Sequence, residues 1–178
     1  MAKIEKAVSD SGPLIHLAQI NSINLFSIVK KTYIPDEVFN ETCAHDLPGS
    51  RQIKSSKIIN VLQLDKTCKD LAKIISERYS LGIGESQSIA LARQEGISLL
   101  FTDDLSARTV AKAYGLEVHG SIGIVLRAFR KNIIQKQKAI QTVIDLKGKS
   151  SLFITSDIVN DIVNYIIKEI EKSSKRKS

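Results

Sequence analysis

The stretch LLFTDDLSARTVAKAYG, residues 99–115, changes character at Thr102. Ahead of it, ISLLFT reads as a buried strand by its length and its apolar run. Two adjacent carboxylates follow, Asp103 and Asp104. Then Ala107, Val110, Ala111 and Tyr114 recur at i, i+3, i+4 and i+7, the spacing of one helix face, and Gly115 closes that helix. A strand that ends in acids and passes straight into a helix is a βα unit. The question is why two negative charges sit side by side at that joint.

The same grammar extends outward. Upstream, KAVSD reads as a short buried strand ending at Asp10. SGPLIHLAQI reads as a helix, with Ser11 as its N-cap and Pro13 in its first turn. NSINLFSIVK reads as a second short helix. TYI is strand-like, and Pro35-Asp36 opens a helix that carries Glu37 and Glu41. Residues 45–57 are polar and read as a loop. IINVLQL alternates like a strand, and KTCKDLAKIISERYS is helical. LGIGESQSIALARQEG has two loop glycines and then a helix that stops at Gly96. Downstream, LEVHG is a short strand and SIGIVLRAFRKN a helix. The last third is helical, and Val159, Ile162, Val163, Ile166 and Ile170 form an apolar stripe that either packs on the chain's own core or makes a dimer face. Strands alternating with helices imply an α/β fold with a mainly parallel sheet. No repeat or linker divides the chain, so residues 1–170 are expected to form one domain, with 131–170 its C-terminal helical part. Residues 171–178 are expected to be a basic, disordered tail.

Composition bounds the function. The 178 residues contain no tryptophan and are 43% hydrophobic, enough for a core built mostly of Ile, Leu, Val and Ala. No apolar run approaches the roughly 20 residues of a membrane span, and the N-terminus lacks a signal-like stretch, so a cytoplasmic location is expected. Cys43 and Cys68 form no C-x-x-C pair and are expected to be reduced. Cys43 and His45 lack further partners at zinc-site spacing, and His16 and His119 are scattered. The net charge of +7 favours a polyanionic partner, although part of it lies in the tail KSSKRKS.

The acids have two readings. Taken singly, Glu85 and Asp104 sit where a helix dipole welcomes a carboxylate, Asp10 caps the helix after its strand, and Glu41 is an exposed helix acid. Taken together, carboxylates gathered beyond the carboxyl ends of parallel strands occupy the place where such sheets bind ligands. Their mutual repulsion is offset only by a cation, and oxygen-only ligands favour Mg²⁺ or Mn²⁺. Such ions, facing an open groove, suit phosphodiester hydrolysis.

At this point the ordered motifs VSDSGPLIHLA, IPDEVFNE, GIGESQSIALA, TDDLSARTVA and GSIGIVLRA resemble those of PIN-domain ribonucleases, most closely the short prokaryotic branch related to VapC-type toxins. They cover roughly residues 7–130. The resemblance implies a three-layer α/β sandwich with a central parallel sheet, and a Mg²⁺- or Mn²⁺-dependent endoribonuclease. It implies catalytic roles for Asp10, Glu41, Glu85 and Asp104, with Asp10, Glu85 and Asp104 as metal ligands and Asp103 as an additional or alternative one. Ser11 and Thr102 would support the ligands by hydrogen bonding. Arg108, one turn beyond Asp104, would clamp a phosphate or neutralise the acids. The glycines of GSIG, 120–123, would serve close packing or phosphate binding. An RNA substrate, a small antitoxin protein and a homodimer are the implied partners. The alternatives are a non-catalytic RNA-binding or protein-interaction module that keeps the fold, and a phosphoacceptor receiver domain. The latter wants its acid pair after the first strand, whereas here the pair comes late. No P-loop is present.

Overall fold

The computed structural model of the chain describes residues 5–43 and 47–175. Among these residues the sheet has five strands, all parallel, in the order β3-β2-β1-β4-β5. The strands are β1 (Lys6–Ser9), β2 (Lys31–Ile34), β3 (Ile59–Val61), β4 (Leu99–Phe101) and β5 (Glu117–His119). The helices are α1 (Ser11–Gln19), α2 (Asp36–Cys43), α3 (Ser50–Ser55), α4 (Lys66–Tyr79), α5 (Ile83–Gln94), α6 (Leu105–Ala113), α7 (Ser121–Arg130), α8 (Lys136–Lys149) and α9 (Ser156–Lys175). The second short helix expected after α1 is a 3-10 helix, Ile23–Ile28.

Side-chain alternation explains the three layers. In β4, Leu99 and Phe101 join one hydrophobic cluster with Leu14, Leu17, Phe26, Ile124 and Val143, whereas Leu100 joins the other with Ile75, Ile89 and Val110. In β1, Ala7 and Val8 divide in the same way. A strand buried on both faces must be apolar at every position, which is why ISLLF reads as a continuous run. The sandwich expected from the motifs is the fold observed.

Chain order runs outward from β1 to β3, then returns through α4 and α5 to β4 on the other side of β1. That reversal makes β1 and β4 neighbours, paired Val8↔Leu100 and Ser9↔Phe101. The pairing continues one bond further, from Asp10 N–H to the Phe101 carbonyl at 2.9 Å. The crevice beyond the carboxyl ends of two strands at such a switch point is the natural ligand site of an open parallel sheet. Asp10 and Thr102-Asp103-Asp104 are the residues that leave those two ends.

Three local readings change. Residues 45–57 are not all loop, because Ser50–Ser55 forms α3, entered through Gly49 at φ 91° and anchored by buried Ile53. A single apolar residue in a polar stretch shows no period to read. Ser11 is not the N-cap of α1; Asp10 is. Gly84 is not in a loop but lies buried in the first turn of α5. Of the two readings of the C-terminal stripe, packing on the chain's own core is the one observed. Val159 and Ile166 are buried in the first cluster and Ile162 and Val163 pack against it, while the side chain of Ile170 lies outside the described residues. Helix α9 continues to Lys175, into the segment expected to be a tail; residues 176–178 lie outside the description, as does His45. Cys43 and Cys68 are free thiols. Among the described residues no helix is long and apolar enough to cross a membrane.

Candidate active site

Asp10 is the centre of the site. It leaves β1 with only 3% of its surface exposed. One oxygen, Oδ1, accepts the Ser11 N–H at 2.6 Å and caps α1. The other, Oδ2, accepts the Thr102 hydroxyl at 3.0 Å. Thr102, itself buried, then accepts the Asp104 N–H at 3.3 Å, so its hydroxyl ties the two strand ends together. Both supporting residues expected from the motifs are therefore in contact with Asp10, for the Ser11 hydroxyl also reaches Oδ1 at 3.4 Å.

Burial pushes the Asp10 carboxyl up to about 7, further raised by the charges of Glu85 and Glu41 and opposed by the Ser11 and Thr102 hydrogen bonds. A helix N-cap alone does not produce this. The dipole of α1 favours the anion, yet burial and repulsion outweigh it. Glu41 lies above its ordinary value for the same reasons, desolvation first and Glu85 and Glu37 next, against a hydrogen bond from Ser11. The two helices that carry Glu41 and Glu85 meet at Gly84, where an added Cβ would stand 2.6 Å from Glu41 Oε1. The glycine is what lets α2 bring its carboxylate against the first turn of α5.

Asp10, Glu85, Asp103 and Asp104 line one cleft of about 470 Å³, together with His16, Leu105 and Phe153. Within it the two adjacent aspartates do different things. Asp104 is exposed and caps α6, its Oδ1 accepting the Ala107 N–H at 2.6 Å. Asp103 is engaged at both oxygens. Oδ1 accepts the Ser121 N–H at 2.7 Å, and Oδ2 accepts the Ser121 hydroxyl at 2.5 Å and stands 2.8 Å from His16 Nδ1. Asp103 thus clamps α1 and the start of α7 to the end of β4, and Asp104 is the freer of the pair.

The clamp answers the question about GSIG. The anion at the N-terminus of α7 is the protein's own Asp103, and the glycines serve packing. A Cβ on Gly120 would collide with Asp103 Oδ1, and one on Gly123 would stand 2.9 Å from the His119 Cβ. Gly120→Ala should therefore cost about 1–3 kcal/mol, the usual penalty of overpacking. A urea midpoint unchanged from wild type would show that the clamp is slack. Arg108 lies over the same glycine, 3.1 Å from that added Cβ, and none of the ion pairs among the described residues uses it.

A family model described as a PIN domain matches residues 6–168. The chain belongs to the PIN-domain family. No curated protein matches it. PIN domains are generally nucleases that act on RNA, and the nucleases among them generally use divalent metals. In this PIN domain the donor chemistry fits such an ion. The cleft is lined by the carboxylates of Asp10, Glu85, Asp103 and Asp104, and the charges of Glu85 and Glu41 both raise the Asp10 carboxyl. Among the described residues no three His, Cys, Asp or Glu groups already stand at coordinating spacing. His16 and Ser121 lie within two of the motifs, VSDSGPLIHLA and GSIGIVLRA, but their contact with Asp103 gives them a part in the site that the motifs do not show. Neither carries a local signal, since what makes them part of the site is Asp103, far away in sequence.

Proposed function

We propose that this PIN domain is a metal-dependent endoribonuclease that hydrolyses RNA phosphodiester bonds. The observation that supports it is Asp10, a buried carboxyl at a sheet switch point, crowded by the charges of Glu85 and Glu41. Asp10, Glu85 and Asp104 would hold Mg²⁺ or Mn²⁺, with Glu41 acting from the edge of the cluster. When bound, the ion supplies an activated water and offsets the charge that builds on the phosphate. The protein's own part is positional. Thr102 and Ser11 fix the Asp10 carboxyl, Gly84 admits Glu41, and Asp103 holds His16 in the cleft wall. Asp103 acts in this reading as a positioning residue rather than a ligand.

The finer roles follow the same reading. The enzyme would work in the cytoplasm, either as the toxin of a toxin–antitoxin pair, with a small antitoxin protein as partner, or in RNA processing. A homodimer would have to use a surface other than the Val159–Ile166 stripe, which is spent on the core. The deciding experiment is incubation of a mixed RNA pool with Mg²⁺, Mn²⁺ or EDTA, with mapping of the cut ends. Discrete internal cuts with either ion and none in EDTA are expected. RNA binding without cleavage under every condition would instead establish the non-catalytic module.

A further inference from the structure

Two large apolar side chains stand in solvent at the rim of the acidic cleft. Leu105, next to Asp104 and first in α6, is 77% exposed; Phe153, between α8 and α9, is 91% exposed. Scattered exposed hydrophobics need no explanation, but these two flank the carboxylates. Phe153 is also not on a loose end. Ile154 beside it is buried, Leu152 packs on the core, and the Ser151 N–H and hydroxyl donate to Gln19 Oε1 at 2.8 and 3.1 Å. The ring is held out by an anchored segment.

Leu105, Leu152, Phe153 and Asp103 line the acidic cleft and also a second groove of about 360 Å³, which continues to Arg108 and His119. One surface therefore carries acids, an aromatic ring and a leucine at the shared rim, and an arginine that no described ion pair engages. A single-stranded polynucleotide offers the complement of this order, a phosphate at each step and an unstacked base between them. The excess of basic residues in the chain, +7, agrees in sign. A duplex does not fit, because its bases are already stacked on each other.

We propose that Phe153, with Leu105 on the same rim, is a stacking platform for one unpaired nucleobase of an RNA strand that crosses the acidic cleft, with Arg108 contacting a neighbouring phosphate. This rests on the nuclease reading above and adds to it the residue that holds a base beside the cleft.

The chain has no tryptophan, so Phe153→Trp installs a lone indole at the platform. With Ca²⁺ present, a short single-stranded oligoribonucleotide should quench it, and an abasic strand of the same length and charge should not. Phe153→Ala should bind the intact strand about 10-fold more weakly than wild type, the scale of one lost base–aromatic stack, and the ratio should fall to near one on the abasic strand. Equal quenching by both strands overturns the proposal. So does intact-strand affinity that is unchanged in Phe153→Ala. If Phe153→Ala lowers the mass seen by light scattering while RNA affinity holds, the patch is a protein contact and the proposal is again overturned. Wild-type cleavage of the RNA pool is scored separately. Base-dependent quenching without cleavage keeps the platform and removes the nuclease reading, and cleavage without base-dependent quenching does the reverse.

Discussion

Asp10→Asn will reduce RNA cleavage by about a thousandfold, the scale on which the loss of one charged group from a catalytic site is felt. In EDTA at about pH 7.5 the same variant will melt above wild type. The two effects share one cause. The buried Asp10 carboxyl is raised from 3.8 to about 7 by burial, then by Glu85 and Glu41. At about 1.36 kcal/mol per pKa unit, ionising it in the metal-free protein costs about 4 kcal/mol at most. Asparagine removes the charge, caps a helix as well as aspartate, and can still accept the Ser11 N–H. Burying its amide returns part of the gain. A net stabilisation of about 1–3 kcal/mol remains, or roughly 5 °C for a chain of this size. If Asp10 were only a cap, its negative charge would stabilise the helix by about 0.3–1 kcal/mol, and the variant would melt lower. A lower melt in EDTA together with retained cleavage would remove Asp10 from the proposed mechanism. Asp104→Asn makes a useful contrast. Asp104 is exposed and caps α6, so its melt should move by no more than about 0.5 kcal/mol while cleavage falls.

The metal-free protein will lose stability as pH rises from about 4 to about 7. The folded-state carboxyl of Asp10 titrates near 7 and the unfolded one near 3.8. Between those values the native state binds more protons than the unfolded state, so stability falls with rising pH. Glu41 is raised too and adds the same sign. Glu117, lowered by His119 and Arg127, and Asp145, lowered chiefly by Lys149, act oppositely and only at the acid end, losing their contribution as pH falls through their titration range. Urea midpoints in EDTA should therefore be highest near pH 4–5. Adding Mn²⁺ should raise the midpoint more at about pH 7.5 than at about pH 5, because an ion competes with the proton for the same oxygens. Midpoints in EDTA that climb steadily from pH 5 to 7.5 would contradict the crowded-acid account.

Much of this was legible because it is local. The βα unit at residues 99–115 could be read from period alone, since Leu99, Leu100 and Phe101 are buried on both sheet faces and Ala107, Val110 and Ala111 on one helix face. Gly96 and Gly115 mark helix ends in the sequence and adopt positive φ, 60° and 79°, as such ends require. The set of acids was visible for the same reason, because each lies at a strand end or in a helix.

What the sequence alone determined is the order of the strands and of the helices other than α3, the acids at the strand ends, and the family. Only the tertiary structure decided which acids meet, and how. Pairing of β1 with β4 joins Asp10 to Thr102; Gly84 admits Glu41; and the approach of α1 and α7 spends Asp103 on His16 and Ser121 while Asp104 stays freer. It also turned the stripe of Val159 and Ile166 inward and left Phe153 outside. The physical reason is common to all of these. Periodicity tells which side of its own element a residue faces, but a charge acquires its energy, and an apolar side chain its burial, from neighbours distant in sequence.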